Sequence, residues 1–232
     1  MSDSLAPAPT ETPRLCRLEL EGAVATITLD RSDARNALNL DLLHALIEHL
    51  EESASVGASV LVLRAEGRAF CAGADLRSDD GTLLGRPGLR RELIERSLEL
   101  VSSFPVSIAV VQGPAVGGGW GLAFAADIVV AADDALFKFP ELALGFVPPD
   151  VIVRRFVQLA GSTRALRLLG SGEPFRADDP ALGGLLEPVP PSELDRRAHG
   201  LADHFARAAP GLLEVLKRQI ATANVHERHS DE

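Results

Sequence analysis

Two glycine-bearing loops, each leaving the end of an apolar run, constrain this chain more than any other feature. Ser59-Val60-Leu61-Val62-Leu63-Arg64 leads into Gly67-Arg68-Ala69-Phe70-Cys71-Ala72-Gly73-Ala74-Asp75-Leu76, and Val106-Ser107-Ile108-Ala109-Val110-Val111 leads into Gly113-Pro114-Ala115-Val116-Gly117-Gly118-Gly119-Trp120-Gly121. Short apolar runs bounded by turn residues read as buried strands, so both loops are expected to leave strand ends and enter helices. That brings free backbone N–H groups to two strand ends. Two convergent peptide donors in a water-poor site can hold the negative oxygen that forms when a thioester carbonyl becomes an enolate, each donor being worth ~10²–10³ in rate. Glycine keeps a Cβ out of the way of the approaching ligand.

Three further stretches stand in order with these loops: Leu29-Asp30-Arg31-Ser32-Asp33-Ala34-Arg35-Asn36-Ala37-Leu38, then Phe137-Lys138-Phe139-Pro140-Glu141 with Leu144-Gly145, then Gly184-Leu185-Leu186-Glu187-Pro188-Val189. Together these motifs resemble the crotonase superfamily, the enoyl-CoA hydratases and isomerases, from roughly Arg17 to Asn224. The resemblance implies an α/β fold in which ββα units spiral into two packed sheets surrounded by helices, assembled as homotrimers or hexamers. Residues 1–13 are expected to be a disordered tail, 14–224 the crotonase-like domain, with the spiral core to about 190 and a helical part over 191–224, and 225–232 a polar tail.

Composition narrows the function classes. The 232-residue chain is 46% hydrophobic and 24% charged, the balance of an ordinary globular protein. A formal net charge of −10 argues against nucleic-acid binding. No apolar stretch of about 18 residues is present, and the N-terminus has neither the basic start nor the apolar core of a signal peptide, so a cytoplasmic protein with no membrane partner is expected. Two cysteines, Cys16 and Cys71, are too few for a disulfide framework or a thiolate metal site, and no metal is expected.

The helical and strand periods are clear in places. The pattern predicts two strands over about 15–29, a helix over about 40–53, a strand over 59–65, a helix within about 78–103, a strand over 106–111 and two short strands around Asp133-Asp134. A helix from Ser192 is predicted to bury Leu194, Ala198, Leu201 and Phe205, with Ser192 and Asp195 as a capping box. A last helix spans about 210–223.

The resemblance assigns the oxyanion donors to the N–H groups of Ala74 and Gly118, and a contact with the nucleotide end of the ligand to the carbonyl of Ala72. The ligand group is the CoA moiety of the substrate, or the pantetheine of a carrier protein; no other cofactor is implied. Arg35, Arg68 and Arg77 are candidates for its phosphates, with Arg86, Arg90 and Arg91 beyond them and Lys217 and Arg218 in the last helix.

For proton transfer, hydratases of the family carry two glutamates. Here Glu141 matches one of them, while the position of the other is Gly121. Water addition gains from two carboxylates, whereas a 1,3-proton shift needs one base that visits two carbons, so the set leans toward isomerisation. Glu141 could instead cap a helix start. Asp150 stands one place beyond a position that often faces the substrate and is either catalytic or a helix N-cap. Val151-Ile152-Val153 replaces a glycine pair, which predicts a bulkier wall near the reacting carbons. A thioester hydrolase or decarboxylase on the same scaffold, or a noncatalytic acyl-thioester-binding subunit, remains open at this point.

Overall fold

The computed structural model describes residues 15–76 and 87–226. Two strands, β1 (Cys16–Glu21) and β2 (Val24–Leu29), pair antiparallel across a turn whose Gly22 has φ 59°, a left-handed conformation that suits glycine. Then follow α1 (Leu40–Ser55), β3 (Val60–Ala65), α2 (Pro87–Ser103) and β4 (Val106–Val111). β2, β3 and β4 run parallel, and all six residues of β4 are buried, which explains why its sequence is an apolar run rather than an alternation.

After the second glycine loop come β5 (Ala115–Val116), α3 (Gly118–Ala125), β6 (Ile128–Ala132), β7 (Leu136–Lys138), α4 (Asp150–Gly170), β8 (Pro174–Arg176), β9 (Glu187–Val189), α5 (Leu194–Ala206) and α6 (Leu212–His226). Six strands form one sheet in the order β1-β2-β3-β4-β6-β9, and β5-β7-β8 form a second. α4 is broken at Gly161, where φ is 74°. This is the α/β, two-sheet architecture expected from the motifs.

The core continues from the first sheet into an aromatic cluster under α3. Trp120 lies 5.2–6.1 Å, ring centre to ring centre, from Phe124, Phe137, Phe139, Phe156 and Phe175. Offset and edge-on contacts of this kind add to the burial of large apolar area. Trp120 and Phe139 are thus core residues. Cys71 is also sealed in the core, where burial pushes its thiol up to about 12.

Two expectations change at the C-terminal end. Ser192 and Asp195 do not form a capping box: a 3-10 turn over Pro191–Glu193 precedes α5, and Glu193 at its N-cap makes no side-chain cap bond. A proline-led turn already orients the chain, which makes the side-chain cap unnecessary. Lys217 is not a ligand contact either. Its Nζ donates to Ser102 O, Phe104 O and the Asp127 carboxylate, all at 2.7 Å, and so tethers α6 to the core.

Candidate active site

The first glycine loop is fixed by the 29–38 stretch beside it. Asn36, fully buried, donates through Nδ2 to Glu66 O and Ala69 O and accepts from Arg31 N–H. Arg31 donates to Ala37 O and pairs with Asp75 at 2.6 Å. Gln112, from the start of the second loop, reaches across to Ala65 O, Gly67 O and Ala69 O. Asp75 is therefore an anchor of the loop.

The backbone pairing decides which way the loop presents its donors. Leu38 N–H donates to Gly73 O at 2.8 Å, and Leu38 O accepts from Asp75 N–H at 3.1 Å. In a parallel bridge of this kind the residue between, Ala74, turns its own N–H to the opposite side. The second loop lies against the first through the Cys71–Ala115 bridge, with Val116 N–H donating to Cys71 O at 2.9 Å. At Gly73 the approach is close: a Cβ there would lie 2.6 Å from Val116 O and 3.6 Å from Gly118 N. Gly73 also has φ 85°, so both space and conformation call for glycine.

Gly118 begins α3, whose first-turn N–H groups have no acceptor within the helix. Gly117 N–H is taken by Lys138 O at 2.8 Å, whereas among the described residues no backbone carbonyl accepts from Gly118 or Ala74 N–H. Among the described residues both N–H groups are thus without a backbone acceptor, and that of Gly118 stands at the positive end of α3. The α-position of Gly118 faces inward, since a Cβ there would touch Leu38 and Ile94.

Glu141 completes the arrangement. It opens a 3-10 turn, Glu141–Leu144, that closes on Gly145 in the left-handed region. Its carboxylate lies against Gly117, so closely that a Cβ on Gly117 would run into Oε1. Oε2 is shielded from solvent and has no hydrogen-bond partner among the described residues. Burial pushes the carboxyl from its ordinary 4.5 up to about 7, opposed in part by its own backbone N–H. Glu141 is the acidic first residue of that turn, and no side-chain bond caps the turn at Pro140. Phe137 and Phe139 are buried to either side of the half-buried Lys138, as strand alternation predicts.

Ala72, Gly73, Ala74, Gly117 and Glu141 line a cavity of about 510 Å³ walled by α2 and by the Leu144–Pro149 segment. Glu141 is the one carboxylate among its described lining residues. Other sequence candidates fall outside it. Asp150 is exposed at the first residue of α4, where Pro149 holds the N-cap position and lines the cavity in its place. Arg35 is exposed, in the left-handed region, and its carbonyl accepts from Ala72 N–H at 3.0 Å. Arg77 and Arg86 lie outside the described residues. Arg90 and Arg91 do line the cavity.

Gly121 does not face this cavity. A Cβ on it would lie 2.5 Å from Ile152 Cδ1, so that isoleucine would have to shift to admit a side chain there. The sequence marked the bulk of Val151-Ile152-Val153 but not which residue meets Gly121, because that contact joins two helices far apart in the chain.

The chain thus joins a two-sheet α/β fold to a pocket lined by both glycine loops and by one half-buried carboxylate, Glu141. The chain belongs to the enoyl-CoA hydratase/isomerase family, whose model matches residues 19–230. It is similar to a probable enoyl-CoA hydratase of Bacillus subtilis, 35% identical over 214 residues that cover 86% of this chain and 80% of that protein. It is likewise similar to a short-chain-enoyl-CoA hydratase of Clostridium acetobutylicum, 36% identical over 210 residues, 88% of this chain and 79% of the relative. Among solved structures, an enoyl-CoA hydratase from Bacillus anthracis superposes with a TM-score of 0.84 at 27% identity, covering 94% of this chain and 89% of that one.

Proposed function

We propose that this enzyme isomerises enoyl thioesters by moving a proton between two carbons with Glu141 as the sole base. The carbonyl oxygen of the thioester accepts from Ala74 N–H and Gly118 N–H; Glu141 takes a proton from the α-carbon, the negative charge spreads into the dienolate, and the same carboxyl returns the proton to the γ-carbon. No net atom is gained or lost. A base whose own titration stands near neutral suits a proton that must be both taken and returned.

The observation that carries this reading is the contact between Gly121 and Ile152. Water addition would need a second group to hold and deprotonate the water; the position matching that group is Gly121, which has no side chain and where a Cβ would meet Ile152 Cδ1. Relatives named hydratases make hydration the competing reading. Incubating the protein with a 3-enoyl-CoA and its 2-enoyl isomer in deuterated water separates them by mass: isomerisation with α/γ exchange is expected to outrun addition of water. Equal or faster hydration by the parent overturns the single-base mechanism. Gly121→Glu alone is expected to gain no hydration, and the pair Gly121→Glu with Ile152→Gly to gain it, since only the pair makes room for the carboxylate.

A further inference from the structure

Arg90 carries a charge that the described fold leaves uncompensated. The residue is 5% exposed, lines the cavity that holds Glu141, and has a buried Nε with no hydrogen-bond partner; no ion pair to it occurs among the described residues. Its neighbours behave otherwise. Arg91 is exposed and donates to Glu95 at 2.9 Å, and the half-buried Arg155 donates to Phe124 O and Ala126 O at 2.8 Å. A guanidinium stays protonated in proteins, and one whose Nε is sealed without a partner among the described residues gains from an anion that a ligand brings into the cavity.

Glu141 is not that anion. Burial raises its carboxyl and its own backbone N–H lowers it, with no cation acting on it. Position along α2 places Arg90 close to the chemistry all the same. Ile94 reaches to 3.7 Å from where a Cβ of Gly118 would stand, and Arg90 lies one helical turn, about 6 Å, earlier on the same face. The remaining wall is apolar, from Leu76, Ile94, Leu144, Phe146, Val147 and Pro149. Such a wall suits methylenes. The phosphates of a CoA are strongly hydrated and suit exposed cations, whereas a buried, planar donor fork matches a carboxylate that has left water.

We propose that Arg90 is the receptor for a carboxylate at the distal end of the acyl group, so that the preferred substrates are monothioesters of dicarboxylic acids. The inference rests on the acyl-thioester reading above. Calorimetric titration with hexanoyl-CoA and adipoyl-CoA tests it, because the two differ in a terminal methyl against a carboxylate and neither contains the double bond, so binding is read without turnover. The parent is expected to bind adipoyl-CoA at least about tenfold more tightly, the size of one charge-assisted pair. Arg90→Met is expected to erase that difference and Arg90→Lys to keep part of it. Hexanoyl-CoA bound as tightly as adipoyl-CoA by the parent overturns the proposal, a result that needs no variant to fold. Loss of affinity for CoA itself in Arg90→Met, as large as the loss for adipoyl-CoA, also overturns it and assigns the guanidinium to the phosphates. If the parent binds neither thioester, the acyl-thioester reading falls with it.

Discussion

Glu141 is held in a state that is unfavourable for folding and useful for proton transfer. At low pH the carboxyl is protonated whether the chain is folded or not. Between its ordinary 4.5 and about 7 the unfolded chain releases the proton while the folded protein keeps it, so stability falls as pH rises through that window and levels off above it. Urea midpoints measured across the window are expected to show this slope in the parent and to lose it in Glu141→Gln. In the proposed mechanism Glu141 acts in its ionised form, so exchange of α-protons should rise with pH through about 7 in the parent. Glu141→Gln should lower that exchange by roughly 10²–10⁴ without unfolding, the range for removal of a positioned general base. Retention of full exchange would remove Glu141 from the mechanism. Gly117 offers a second probe: alanine there meets Oε1 and must also adopt φ 53°, so Gly117→Ala should cost both stability and turnover. Valine at Gly118, by contrast, would meet Leu38 and Ile94 and report on packing.

At the scale of elements, the two glycine loops act as one unit because neither is self-supporting. The first has its carbonyls held by Asn36 and Gln112 and its aspartate by Arg31, while the second leans on the first at Cys71 and on β7 through Gly117. Removing Asn36 would leave Glu66 O without its Nδ2 donor and Ala69 O with Gln112 alone. Asn36→Ala is therefore expected to lower stability by ~1–3 kcal/mol in urea unfolding and to loosen amide protection across residues 66–75. A variant as stable and as protected as the parent would mean that the loop is held by β3 and β4 alone. These supports were partly legible beforehand. The Asp30–Leu38 stretch stood out as a motif, yet its purpose was not, because Asn36 and Ala69 meet only after the sheet has brought β2 and β3 side by side.

For the molecule as a whole, α6 leaves an apolar face without cover. Leu212, Val215, Leu216 and Ile220 are exposed at helical spacing, while Lys217 on another side of the helix ties it to the core. We propose that this face packs against further copies of the chain, giving the homotrimer or hexamer that the resemblance implies. Sedimentation of the parent should show that assembly at micromolar concentration, and Leu216→Glu with Ile220→Lys should shift it toward monomer; a parent that sediments as a monomer sinks the assembly. Local chemistry was enough to read the buried strands, the glycine turns at Gly73 and Gly117, the lone Glu141 and the missing carboxylate at Gly121, since buried strands, left-handed turns and a change of side chain leave their mark within a few residues. What the tertiary structure decided is which distant groups meet: Ile152 against Gly121, Asp150 turned to solvent, Lys217 drawn to Asp127, and Arg90 enclosed with no ion pair among the described residues. Those outcomes depend on how α2 and α4 pack on α3, and packing between helices far apart in the chain is set by shape and burial of the whole core, which no local pattern of residues records.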